Sequence, residues 1–211
     1  MLLNLVGQVT LFDALFELDV QFARECRQRG CLFCGGRLDS AAYSRKPRGG
    51  PEELPERYCQ RLSLCCAREG CRRRALPPSC LFMGLRVYLA AAIVASCALR
   101  QSRPPGKSLR ELAETLGVSR QTLLRWLDWF KNIFPATPAW QRLRGLLDAS
   151  VHNEQLPSGL LGRFLQAAKD PVSAFIDCLR FLASGHNPVI QHTKWGSILT
   201  RRTWRATALP P

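Results

Sequence analysis

The chain has 211 residues, 46 % of them hydrophobic, which excludes wholesale disorder and fits one medium domain or two small ones. Thirty Lys and Arg stand against sixteen Asp and Glu, a formal charge of +14. The excess is spread out, 13 basic against 9 acidic residues over 1–80, 8 against 3 over 81–135 and 9 against 4 over 136–211, so the whole chain favours a polyanionic partner, nucleic acid before an anionic membrane.

The opening Met1-Leu2-Leu3-Asn4 has no basic residue ahead of its apolar stretch, and Asp13, Glu17 and Asp19 soon interrupt that stretch. This is a poor signal peptide, so a reducing cytoplasm is expected, with association with the nucleoid if the partner is DNA. There, ten cysteines point to metal rather than to disulfides. Over 10–29, Leu11, Leu15, Leu18 and Phe22 recur at spacings of three and four, an amphipathic N-terminal helix that Gly30 ends.

Residues 31–80 lose that periodicity. Cys31-x2-Cys34 is followed by Gly35-Gly36, small residues that let backbone amides approach thiolates. The second half comes 32 residues on, at Cys66-x4-Cys71. Two such tips closing on one tetrahedral ion make a zinc ribbon, with Cys31, Cys34, Cys66 and Cys71 as ligands. Cys65 is the alternative to Cys66, but Leu62, Leu64 and Cys66 alternate on one face of a strand expected over 57–66. Four thiolates saturate the ion, and His152, His186 and His192 are remote in sequence, so the zinc is expected to be structural. Cys26, Cys59, Cys80, Cys97 and Cys178 are read as non-ligands, Cys97 and Cys178 as small buried hydrophobes on helix faces. Between the cysteine pairs, Arg45-Lys46-Pro47-Arg48-Gly49-Gly50 reads as a flexible basic loop able to enter a minor groove, and Arg72, Arg73 and Arg74 beside the second pair as phosphate contacts.

Residues 81–99, LFMGLRVYLAAAIVASCAL, are long enough to span a bilayer, but Arg86 and the many alanines favour a buried helix. After a Pro-rich linker over 101–107 comes SLRELAETLGVSRQTLLRWLDWFK. Ser108 and Glu111 form a capping box, Leu109, Leu112, Ala113 and Leu116 an inner face, Gly117 a left-handed stop and Val118 a plug. Ser119 caps a second helix with Leu123, Trp126, Leu127 and Phe130 inside and Arg120, Gln121, Leu124, Arg125 and Asp128 outside. These offsets predict a helix-turn-helix within 81–135, 81–99 being its supporting first helix. Arg120, Gln121 and Arg125 suit base edges, and Ser119 and Thr122 suit phosphate.

Three short helices are expected next, from Trp140 to Ala149, from a Ser158 cap to about Lys169, and from Asp170-Pro171 to Gly185. A basic irregular tail over 186–211 carries Lys194, Trp195, Arg201, Arg202, Trp204 and Arg205. The expected fold is mainly α with a small β zinc ribbon, a helix-turn-helix core and further C-terminal helices. No set of carboxylates, nucleophile or Gly-rich phosphate loop with supporting spacing suggests an enzyme.

Segments 23–51 and 61–89 resemble small bacterial proteins encoded beside transposase genes in mobile elements, which combine a zinc-ribbon region with a helix-turn-helix. The resemblance covers roughly residues 10–160 and implies Cys31, Cys34, Cys66 and Cys71 as ligands, with Cys59, Cys80 and the C-terminal tail outside the pattern. It implies an accessory or regulatory DNA-binding protein, with double-stranded DNA and a transposase or recombinase as partners. Two other readings stand beside it: an interaction subunit that recruits a transposase, and a membrane-associated protein anchored by 81–99. RNA in place of DNA is disfavoured only by the helix-turn-helix.

Overall fold

The computed structural model describes residues 2–51, 53–83, 88–101, 108–147 and 151–185. The expected tail 186–211, the linker residues 102–107 and Arg86 lie outside the described residues. The fold is mainly helical with a small antiparallel sheet. The helices are α1 (Leu2–Val6), α2 (Val9–Arg29), α3 (Ala90–Gln101), α4 (Leu109–Leu116), α5 (Arg120–Asp128), α6 (Pro138–Arg144), α7 (Ser158–Ala167) and α8 (Pro171–Ser184).

The strands all fall between α2 and α3. β1 (Leu38–Ser40), β4 (Leu64–Cys66) and β5 (Arg74–Ala75) form an antiparallel sheet in the order β1-β4-β5, with Leu38 opposite Cys66 and Cys65 opposite Arg74. β2 (Tyr43–Ser44) and β3 (Gln60–Arg61) make a separate two-stranded ladder. The single strand expected over 57–66 is therefore three pieces: a 3-10 turn Glu56–Cys59, then β3, then β4. Buried Ser63 and half-buried Leu62 break the alternation between the last two.

α3 is the hub. Ala90 through Ala98 are all buried, and the helix packs against α1, α4, α5, α7 and α8. Its alanines let five neighbours approach closely. One hydrophobic cluster runs from Leu5 to Ala183 and joins the helices on both sides. The cysteine region adds only a satellite cluster of Cys31, Leu38, Leu64 and Cys66.

The helix expected over 81–99 begins only at Ala90. Leu81 to Met83 and Tyr88–Leu89 are not helical, because their amides are engaged elsewhere. Phe82 bridges Leu89, the Cys80 amide donates to Asp19, the Phe82 amide to Ser79 Oγ, the Leu89 amide to the Arg48 carbonyl and the Ala90 amide to the Leu81 carbonyl. Among the described residues, no helix is long and apolar enough to cross a membrane.

Local chemistry fixes most helix ends. The Asp170 carboxylate accepts the amides of Val172 and Ser173, both at 2.9 Å, and Pro171 opens α8 as expected. Ser158 is the first residue of α7 rather than its cap, and its hydroxyl donates back to the Gln155 carbonyl. α6 stops at Arg144, short of Ala149, which lies outside the described residues. α5 does not run on regularly to Lys131. After Asp128 it widens into a π turn, Trp129–Ile133, whose closing Phe134 amide bonds the Trp129 carbonyl. Trp129, Phe130 and Phe134 stack in this way, ring centroids 4.8–5.5 Å apart, and Phe134 lies 5.4 Å from Trp140.

Polar contacts tie the cysteine region to α2: Asp13 pairs with Arg57 and accepts from the Tyr58 hydroxyl, and Asp19 makes a second, buried tie. Asp19, on the inner face of α2, is 1 % exposed and accepts hydrogen bonds from Ser79 Oγ and the Cys80 amide. Burial pushes its carboxyl up from 3.8 to about 7, against the pull of these donors and of Arg61. With the folded value above the unfolded one, the folded chain holds this proton more tightly. The stability Asp19 contributes is full below about pH 4 and is lost as pH rises towards about 7. Asp19→Asn has no such proton, so wild type should lose stability relative to the variant by up to about 1.4 kcal/mol per pH unit across that window. Urea unfolding of both proteins at several pH values checks this, and parallel pH profiles would refute it.

Candidate metal centre and basic face

The four cysteines expected to act together lie together. Cys31, Cys34, Cys66 and Cys71 place their sulfurs within 4.8 Å of one another, a set that could hold a metal ion. Cys34 Sγ lies 3.5 Å from Cys66 Sγ, and Cys31 Sγ lies 3.8 Å from Cys71 Sγ. A tetrahedral ion with bonds of about 2.3 Å to sulfur needs S···S edges of about 3.8 Å, so the cluster has the size for one such ion. A disulfide needs about 2.05 Å, and all the cysteines are free thiols.

Two tight turns supply the sulfurs. In the first, the Gly35 amide bonds the Cys31 carbonyl and the Cys31 amide bonds the Gly36 carbonyl, both at 2.8 Å. The amides of Phe33 and Cys34 point at Cys31 Sγ and lower its thiol to about 7. A side chain at position 36 would stand 3.2 Å from Cys66 Sγ and 3.3 Å from Cys34 Sγ, so glycine there keeps the sulfurs' space open. In the second turn the Arg68 amide points at Cys66 Sγ and the Arg73 amide at Cys71 Sγ. Although the Arg68 amide favours the thiolate, burial and the neighbouring thiols push Cys66 up to about 12. A cation held by the four sulfurs would favour the thiolate form of all of them.

The choice between Cys65 and Cys66 follows from register. Leu64 and Cys66 are buried on one face of β4, while Cys65 is half-exposed and donates its thiol to the Arg72 carbonyl at 3.4 Å. The other thiols stand apart from the four-sulfur set. Burial pushes Cys80, Cys97 (to about 12) and Cys178 up. Cys26 packs at the edge of the satellite cluster, and its sulfur accepts from Arg29 at 3.3 Å.

On the helical side, α4 and α5 meet across the expected turn. Ser108 and Glu111 close the capping box in both directions. Gly117 takes φ +60°, and the Val118 amide reaches back to the Ala113 carbonyl at 3.1 Å. Ser119 Oγ accepts the Thr122 amide. Leu123, Trp126 and Phe130 are buried, while Arg120, Gln121, Leu124, Arg125 and Asp128 face outward as expected.

Two expected contact residues do not lie free on the surface. Thr122 is only 7 % exposed and its hydroxyl is bonded to Ser119 Oγ at 3.0 Å, because it plugs the turn from inside. Arg45 is half-buried, its guanidinium over the Tyr43 and Phe82 rings and bonded to the Tyr43 hydroxyl.

The loop around Arg45 is also not the flexible arm that its composition suggests. Gly49 is buried at φ +84°, and a Cβ there would meet Ala92 of α3 at 2.9 Å, Trp126 of α5 at 3.7 Å and Val118 at 3.9 Å. Arg48 bridges Tyr88, whose ring stands edge-on to Trp126 at 5.1 Å. Exposed Lys46 and Arg48 are thus carried on a loop docked against the α4–α5 turn. Sequence reasoning missed this seat, although the Gly49-Gly50 pair was its signal. It also missed Asp19, a carboxylate four residues after Leu15 on an otherwise apolar face.

Arg72, Arg73 and Arg74 are all exposed at the second cysteine turn, Arg73 with its guanidinium 4.0 Å from the Phe33 ring centroid. Comparison with known protein families, curated proteins and solved structures gives no match to this chain.

Proposed function

We propose that this protein is a sequence-specific binder of double-stranded DNA, with α4–α5 as a helix-turn-helix and residues 31–75 as a zinc ribbon built on Cys31, Cys34, Cys66 and Cys71. The observation that carries the reading is the outward face of α5. Arg120, Gln121 and Arg125 stand exposed on it while Leu123 and Trp126 anchor the helix from behind. An Arg at the start of a recognition helix can bind guanine bidentately, and Gln can bind adenine. Leu124, 44 % exposed among these polar residues, suits a thymine methyl group. The docked loop sets Lys46 and Arg48 beside the same turn, where they suit flanking phosphates.

The donor set, four cysteine sulfurs within 4.8 Å of one another, fits zinc. Its role is structural, because four thiolates leave no position for substrate. The place in a mobile element, as an accessory or regulatory protein working with a transposase or recombinase, rests on the resemblance of segments 23–51 and 61–89. The reading makes the protein a binder without a catalytic centre.

Duplex affinity is expected to fall steeply with salt, by about 10³-fold or more between 50 and 200 mM if six or more phosphates are contacted. Arg48→Ala should reduce the slope of log K against log salt by about 0.9, with sequence preference unchanged. Fluorescence anisotropy on a labelled duplex measures both. A salt-independent affinity would remove the reading.

A further inference from the structure

The first cysteine turn exposes two apolar side chains that the reading above does not use. Leu32 is 82 % exposed and Phe33 is 65 % exposed, although residues of this size ordinarily find cover. They stand among cations. Arg73 lies over the Phe33 ring at 4.0 Å, and exposed Arg68 sits on the facing cysteine turn, its Cβ 3.3 Å from where a Cβ at Gly36 would stand. Arg37, Arg72 and Arg74 are exposed on the same small module. Over the two cysteine turns and their strands, residues 31–40 and 64–75, the acidic groups are Asp39, paired with Arg37 at 3.2 Å, and exposed Glu69. Five arginines against two carboxylates leave the module cationic around a flat aromatic surface.

We infer that this tip binds single-stranded DNA, an unpaired base stacking on Phe33 while Arg68, Arg72 and Arg73 hold the adjoining phosphates. The Arg73 guanidinium covers part of the ring and holds it in place, and most of the residue remains open to a second planar partner. Stacking on an aromatic ring with phosphates on nearby arginines is how single strands are held without base readout. A folded acidic protein surface would use the arginines but has no need of an open ring. The site is separate from α5, so single-strand and duplex binding fail independently.

The test uses the full-length metallated protein and a labelled oligothymidylate of about 16 nucleotides. Phe33→Ala and Phe33→Leu should each weaken its binding by about 5- to 150-fold, with Phe33→Trp retaining it and metal content unchanged in all three. Arg120→Ala should leave single-strand binding as it is. Wild-type affinity in both Phe33→Ala and Phe33→Leu would overturn the inference. So would an equal loss of binding to polyglutamate, which would make the tip a site for acidic peptides.

Discussion

Chelation is expected to unfold the cysteine region while most of the helical part survives. The region's own buried apolar cluster consists of Cys31, Leu38, Leu64 and Cys66, far too little to fold a module of this size. Its strands are two or three residues long. In the proposed reading the stability comes from a zinc ion on the four cysteines, and structural zinc in small modules contributes on the order of 10 kcal/mol of apparent binding free energy at neutral pH. Cys66→Ser should therefore abolish stoichiometric metal binding. Cys65→Ser, one residue away, should leave one ion per chain, because its thiol faces the Arg72 carbonyl and not the cluster. Elemental analysis of the two variants, with far-ultraviolet circular dichroism before and after chelator, reads both effects. Equal metal loss in the two variants would mean that the ligand set is wrong.

Trp126→Ala should be strongly destabilising on the helical side. The indole is 7 % exposed, lies edge-on to Tyr88 at 5.1 Å and would stand 3.7 Å from a Cβ at Gly49. Truncating it opens a cavity where α5 and the loop carrying Arg48 meet, and large-to-small changes of this kind cost about 3–5 kcal/mol. For a chain of this length that lowers Tm by roughly 6–20 °C. Duplex affinity should fall with it even below the new Tm, since α5 and the docked loop lose their common support. Leu124→Ala, on the exposed side of the same helix, should change stability by no more than about 0.5 kcal/mol. Calorimetry of the two variants separates them, and a tolerated Trp126→Ala would show that the helix does not rest on this residue.

How much of this was legible in the sequence depended on the range of the interactions. α2, α8 and the α4–α5 turn are written locally, in Leu11, Leu15 and Phe22 at helical spacing, in Asp170-Pro171, and in the Ser108, Gly117 and Ser119 sequence of caps. The four-sulfur cluster was legible because Cys-x2-Cys and Cys-x4-Cys each form one turn. Residues 81–83 and 88–89 were misread because an apolar run cannot distinguish a buried helix from buried extended chain, and the Leu81 and Leu89 amides go to Asp19 and Arg48, far away in sequence. The 45–50 loop was misread for a related reason. Glycines that look like flexibility by composition are here what lets the backbone touch Ala92, and in a single sequence the two uses look alike. Thr122 had the composition of a phosphate contact, but its hydroxyl closes the turn instead.

Selection from a random pool of duplex DNA, run in parallel on the wild-type protein and Arg120→Ala, tests the central claim most directly. Wild type should enrich a defined site, and the variant should lose about 1–3 kcal/mol of discrimination at one base pair while the rest of the site persists. Enrichment of no site, or of the same site with the same preference at every position by both proteins, would contradict the assignment of α5 as the reading helix.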